Sequence, residues 1–111
     1  MTTATTERST EIAETIISQL GGYSRLGAMT GAKGYTYGTD DSGETHIEFR
    51  IGRNSNQINV VQITLNSNDT YTMKFFWSTV KKVTEKWSFH GVYADSLIGI
   101  FESATGMYLS L

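Results

Sequence analysis

Three runs of alternating side chains between residues 45 and 77 constrain most strongly what this chain can fold into. Ile47, Phe49 and Ile51 alternate with His46, Glu48 and Arg50. Val61, Ile63 and Leu65 alternate with Gln62 and Thr64, and Tyr71, Met73, Phe75 and Trp77 alternate with Thr72, Lys74 and Phe76. A period of two sends successive side chains to opposite faces, so each run reads as a strand with a core side and a wet side. The second and third runs are joined by Asn66-Ser67-Asn68-Asp69, residue types that tolerate the left-handed backbone of a hairpin turn. A fourth strand is predicted from near Lys81 to Phe89, with Val83, Glu85, Trp87 and Phe89 on one parity and Lys82, Thr84, Lys86 and Ser88 on the other. The chain has no Pro, so its turns fall to Gly, Asn, Asp and Ser, and Asp40-Asp41-Ser42-Gly43 reads as one of them.

Helical spacing flanks these strands. Ile12, Ala13, Ile16, Ile17 and Leu20 form one stripe, Ser9 or Thr10 can cap it, and Gly21-Gly22 stops it. Residues 1–8 are polar and Thr-rich and read as a flexible lead-in to a single domain over residues 9–111. Five glycines, Gly27, Gly31, Gly34, Gly38 and Gly43, argue against a long helix between Arg25 and Gly43, and Leu26 to Met29 reads as a short strand. His90 is expected to help start a second helix, in which Tyr93, Leu97, Ile98, Ile100, Phe101 and Ala104 follow a helical period as far as Gly106. Met107 to Leu111 is expected to dock as a tail. The prediction is an α+β fold, an antiparallel sheet of about four strands with an N-terminal and a C-terminal helix packed on one face.

Composition narrows the function classes. With 111 residues and a hydrophobic fraction of 39%, the chain has material for one core and little left over for a deep pocket. Lys and Arg number 9 against 11 Asp and Glu, a net charge of −2. A nucleic-acid surface would therefore have to be local, because phosphate neutralisation needs a basic excess. The absence of Cys excludes disulfides, thiolate metal sites and a Cys nucleophile, and fits a reducing, cytoplasmic setting. The polar start MTTATTERST argues against a signal peptide, and no apolar run approaches a membrane span, so no membrane partner is expected.

No catalytic, metal or cofactor signature emerges, and the chain is expected not to be an enzyme. Gly31-Ala32-Lys33-Gly34 lacks the GxxxxGK[ST] spacing of a phosphate loop, which leaves Lys33 as a partner contact. His46 and His90 have no His or Cys at ligand spacing. Asp40 and Asp41 sit in a turn, and no Ser stands in GxSxG or SxxK. The better signal is aromatic and basic interleaving: Lys74 and Phe76 project opposite Tyr71, Phe75 and Trp77, and Lys81, Lys82 and Lys86 extend the strip. Tyr35, Tyr37, Arg50 and Arg53 complete the candidate partner-binding set. An ordinary solvated sheet face is the alternative reading of the same residues.

Three segments carry a resemblance. MTGAKG near residue 30, QITLNSNDTYTMKF in the middle strands and VYADSLIGIFESATGMYLSL at the end resemble small accessory proteins encoded by bacteriophages and other mobile elements. The resemblance covers the chain from Ile12 onward, apart from the segment Trp77 to Trp87. It implies a non-enzymatic inhibitor in the bacterial host cytoplasm, of which anti-CRISPR proteins are the leading example. The implied partner is a host effector such as a Cas nuclease or its RNA complex. A small nucleic-acid-binding module using the same strip is the second expectation.

Overall fold

Two adjacent glycines end the first helix. Gly21 and Gly22 adopt φ of 112° and 95°. Gly22 N–H donates to Ile17 O at 2.9 Å and Gly21 N–H to Ser18 O at 3.0 Å, the crossed pairing that satisfies the last carbonyls of a helix. The structure, a computed structural model, describes residues 2–39 and 42–109, with side chains from Thr10 onward. The expected turn residues Asp40 and Asp41 lie outside the described residues.

Helix α1 spans Thr2–Gln19, so it starts ahead of the expected cap at Ser9 or Thr10, and residues 2–8, expected as a lead-in, have helical backbone. No Gly or Pro stands before Ser9 to interrupt it. Ala13, Ile16, Ile17 and Leu20 are buried, as their spacing requires. Helix α2, Tyr23–Thr30, replaces the short strand expected at Leu26 to Met29. Leu26 and Thr30, four residues apart, form its buried side, and the Thr30 hydroxyl donates to Leu26 O at 2.6 Å. A single Gly27 weakens so short a helix by about 1 kcal/mol without breaking it.

The sheet has five antiparallel strands in sequence order, β1 Lys33–Thr39, β2 Thr45–Arg50, β3 Val60–Leu65, β4 Tyr71–Ser78 and β5 Val83–Val92. Strand β1 is the addition to the expected four. After a 3-10 turn at Ala94–Ser96 comes α3, Leu97–Thr105, closed by Gly106 at φ 73°. Ile47, Phe49, Val61, Ile63, Met73 and Phe75 pack with the buried residues of all three helices in one core, so the helices cover one side of the sheet. The Phe101 ring of α3 lies 6.5 Å from Phe49 and 6.3 Å from Phe75, spanning the middle strands. The expected tail docks as far as Leu109, which is buried and whose N–H donates to Glu102 Oε2 at 2.9 Å; Ser110 and Leu111 lie outside the described residues.

Strand β5 departs from the expected alternation. Phe75 is paired with Trp87 and Phe76 with Glu85, so Lys86 is an extra residue, a β-bulge that reverses parity. Unbroken alternation would have put Glu85 on the same side as Trp87 and Phe89. The bulge instead gives Glu85 to the open face and keeps Trp87 and Phe89 on the helix side. A second irregularity lies between the Met73–Phe89 and Tyr71–Val92 pairs, at Gly91 with φ 65°. His90 therefore belongs to β5 rather than to the start of a helix. No helix among the described residues is long and apolar enough to cross a membrane.

Candidate functional site

The helix-free side of the sheet is a grid of outward side chains whose rows follow from the strand register. One row runs Lys33, Arg50, Val60, Phe76, Glu85. The next runs Thr36, Glu48, Gln62, Lys74, Ser88. The third runs Gly38, His46, Thr64, Thr72 and is extended by His90, whose Nδ1 lies 3.4 Å from the Thr72 hydroxyl. Five strands at about 4.8 Å spacing and six residues at about 3.3 Å make a face of roughly 20 by 20 Å.

The electrostatics of this face are mixed. Lys74 Nζ lies 3.9 Å from Glu85 Oε1, and Gln62 Nε2 donates to Glu48 Oε1 at 3.4 Å. Three cations, Lys33, Arg50 and Lys74, thus share the face with two carboxylates, Glu48 and Glu85, and with the aromatic Phe76 in its outer row. The His90 ring also lies 3.0 Å from the Ser88 hydroxyl. Ser88 and His90 stand two apart on one strand, where same-side contact follows from the period of two; no carboxylate orients the imidazole among the described residues. Nor do three His, Asp or Glu side chains gather there as a metal site.

The ten residues singled out in the sequence do not form one surface. Lys33, Arg50, Lys74 and Phe76 share the open face. Lys81 and Lys82 lie in the β4–β5 turn, where Thr79 receives the Lys82 N–H at its hydroxyl, and Lys86 is the bulge residue. Arg53 lies in the β2–β3 loop and borders a cleft of about 460 Å³ with Trp77.

Tyr35 and Tyr37 are on the helix side. The Tyr35 ring stands 4.8 Å from Tyr23 and 5.3 Å from Phe49, and the Tyr37 hydroxyl accepts from the Thr10 hydroxyl at 3.0 Å. Burial raises the Tyr35 phenol above the ordinary tyrosine value, with neighbouring Tyr23 adding to it. Both tyrosines alternate inward because their cross-strand neighbours Phe49 and Ile47 do.

Sequence reasoning passed over Val60, Glu48 and Glu85 as members of the face. The outward parity of Val60 and Glu48 was legible, but the neighbours across the strands needed the register. The alternation also assigns Trp77 to the covered side, whereas Trp77 and its neighbour Trp87 are 37% and 49% exposed. The nine residues of α3 extend only about 14 Å and leave the far end of β4 and β5 bare. Comparison with known protein families, curated proteins and solved structures finds no match to this chain.

Proposed function

We propose that the protein acts by binding rather than by catalysis, docking the open sheet face on a partner protein, and that this partner is a host defence effector such as a CRISPR–Cas nuclease complex. The observation that supports docking is the make-up of the face: Phe76 and Val60 stand side by side in its outer row, with Arg50 and Glu85 flanking them in that row and Lys74 and Glu48 in the next. An antiparallel sheet can leave one side wet without any function. An aromatic anchor with polar, mixed-charge neighbours is the arrangement that concentrates binding energy in protein interfaces. A face of roughly 20 by 20 Å offers about 400 Å², so the loops at its ends would contribute the other half of the roughly 800 Å² that a specific interface takes from each partner. Two carboxylates among the cations favour a protein over a phosphate backbone, which would repel them. The effector class is supported by the resemblance of the MTGAKG, QITLNSNDTYTMKF and VYADSLIGIFESATGMYLSL segments to phage accessory proteins.

The test is a reconstituted CRISPR–Cas cleavage reaction together with affinity capture of the effector, run with and without nuclease treatment. The protein is expected to suppress cleavage and to stay bound after nucleic acid is removed. Phe76→Ala and Arg50→Glu are each expected to weaken capture about tenfold or more, as hot-spot losses do. Full suppression by both variants would place the contact elsewhere and defeat the docking reading. Failure to suppress any effector type would defeat the effector assignment.

A further inference from the structure

The chain's two tryptophans, Trp77 and Trp87, have helix-side parity yet are not covered by the helices, remaining 37% and 49% exposed. Trp77 is paired with Thr84 and Trp87 with Phe75, which makes the two indoles diagonal neighbours across β4 and β5. Diagonal positions of this kind are roughly 7–8 Å apart, within reach of large side chains.

The surroundings are cationic. Four lysines, Lys74, Lys81, Lys82 and Lys86, stand against the single acid Glu85 between residues 74 and 87, in a chain whose net charge is −2. Glu85 is engaged with Lys74 on the opposite face, which leaves Lys81 and Lys82 in the turn and the bulge residue Lys86 as the other charges of this segment. Arg53 and Gln57 join Trp77 in lining the cleft of about 460 Å³. Two other residues of that cleft are committed to the fold: the Asn54 amide bonds Gly52 O and Ile58 O, and Asn59 bonds both the N–H and the carbonyl of Ser78.

We propose that this tryptophan-bearing margin is a second binding surface, for single-stranded nucleic acid. Two bases stack on Trp77 and Trp87, and the phosphates run past Arg53, Lys81, Lys82 and Lys86. Exposed aromatic faces beside cations are what unpaired bases use, since every base has a π-face and every nucleotide a charge. Bases inside a duplex do not offer those faces. The exposed Val80 of the turn and Val83 at the start of β5 would suit a lipid surface, but the Trp77 indole lies beside Arg53 and Gln57 in the cleft, and hydrogen-bonding and cationic groups next to an aromatic face favour a base and its phosphate. This surface lies across the sheet from the protein-docking face, so the two are separable by mutation.

Because Trp77 and Trp87 are the only tryptophans, intrinsic fluorescence reads this site without a label. Titration with a 15-residue oligothymidine or oligouridine at about 50 mM salt is expected to quench it. Each phosphate contact contributes about −0.7 to the slope of log affinity on log salt, so four cations give roughly −3 and the Lys81→Glu, Lys82→Glu double variant about half that. Trp77→Phe and Trp87→Phe each leave one indole to report, and Trp77→Ala, followed by fluorescence anisotropy of labelled oligonucleotide, should bind about tenfold more weakly. Phe76→Ala should bind oligonucleotide as the parent does. Absence of quenching, binding that ignores the tryptophan and lysine changes, or a response only to phosphatidylserine vesicles would overturn the proposal.

Discussion

Tyr35 carries a hydroxyl that is buried and has no hydrogen-bond partner among the described residues. An unpaired buried hydroxyl costs free energy that its removal recovers, whereas a paired one contributes about 1 kcal/mol. Tyr71 is the paired counterpart, its hydroxyl donating to Gln19 Oε1 at 2.9 Å and tying β4 to α1. Tyr35→Phe is therefore expected to leave stability unchanged or raise it by up to about 1 kcal/mol, and Tyr71→Phe to lower it by about 1 kcal/mol, both read from urea unfolding. The same two phenols give the molecule an alkaline limit. Burial raises the pKa of each, with Tyr23 adding at Tyr35, while at Tyr71 the Gln19 bond opposes the shift and Asp69 adds to it. A phenol that keeps its proton to higher pH in the folded chain than in the unfolded one supports folding fully below about pH 10 and loses that support as pH rises through the folded value. The urea midpoint should fall from about pH 10 upward, less steeply in Tyr35→Phe than in the parent; a midpoint independent of pH in that range would show that these phenols are solvated.

At the scale of elements, the joint between α2 and the β2–β3 loop is made by two glycines in contact. Gly31 caps α2 at φ 72°, and a Cβ there would meet Gly52 N at 3.4 Å. Gly52 N–H in turn donates to Thr30 O at 2.7 Å, and a Cβ on Gly52 would stand 3.2 Å from that oxygen. Gly31→Ala is expected to cost about 1–2 kcal/mol through the left-handed backbone alone. Gly99→Ala, inside α3 with nothing within 4 Å of the added carbon, should gain about 0.5–1 kcal/mol; thermal melts of the two variants moving in the same direction would contradict this contrast. Gly31 also shows why α2 was hidden in the sequence. A two-turn helix offers one buried pair, Leu26 and Thr30, too few to establish a period, and the glycines around it read as breakers. Strand β1 was obscured in the same way, because Tyr35 and Tyr37 alternate over only two positions between Gly34 and Gly38. The strands β2 to β4 were legible because each repeats its alternation three or four times. The bulge at Lys86 left no local mark, since Val83 to Phe89 alternates without a break; it shows only in the pairing across the strands, where Glu85 stands opposite Phe76 and Trp87 opposite Phe75.

For the whole molecule, the decisive property is that its sheet has one dry side and one wet side. Strand parity carries that much for β2 and β4: it sets Arg50 opposite Phe49 and Lys74 and Phe76 opposite Phe75, and these three share the open face, whereas Lys33 joins them only through β1. It could not give the charge of that surface, because Glu48 and Glu85 become neighbours of Lys74 only through register and a bulge. Phe75 and Phe76 are adjacent in sequence and chemically identical, so they test the two-sided arrangement with everything else held constant. Phe75 is fully buried, with Phe89 and Phe101 rings 6.1 and 6.3 Å away. Phe75→Ala should cost about 3–5 kcal/mol, a large part of the roughly 5–15 kcal/mol that holds a domain of this size together. Phe76 is half-buried only by its neighbours on the open face, Val60 and Glu85. Its truncation should cost less than about 1 kcal/mol, a shift in melting temperature on the order of 4 °C, while removing the anchor on which docking depends. Equal destabilisation by the two changes would mean that the lysine-bearing side is covered in solution, by a second copy or another chain, and the free face on which the binding reading stands would not exist.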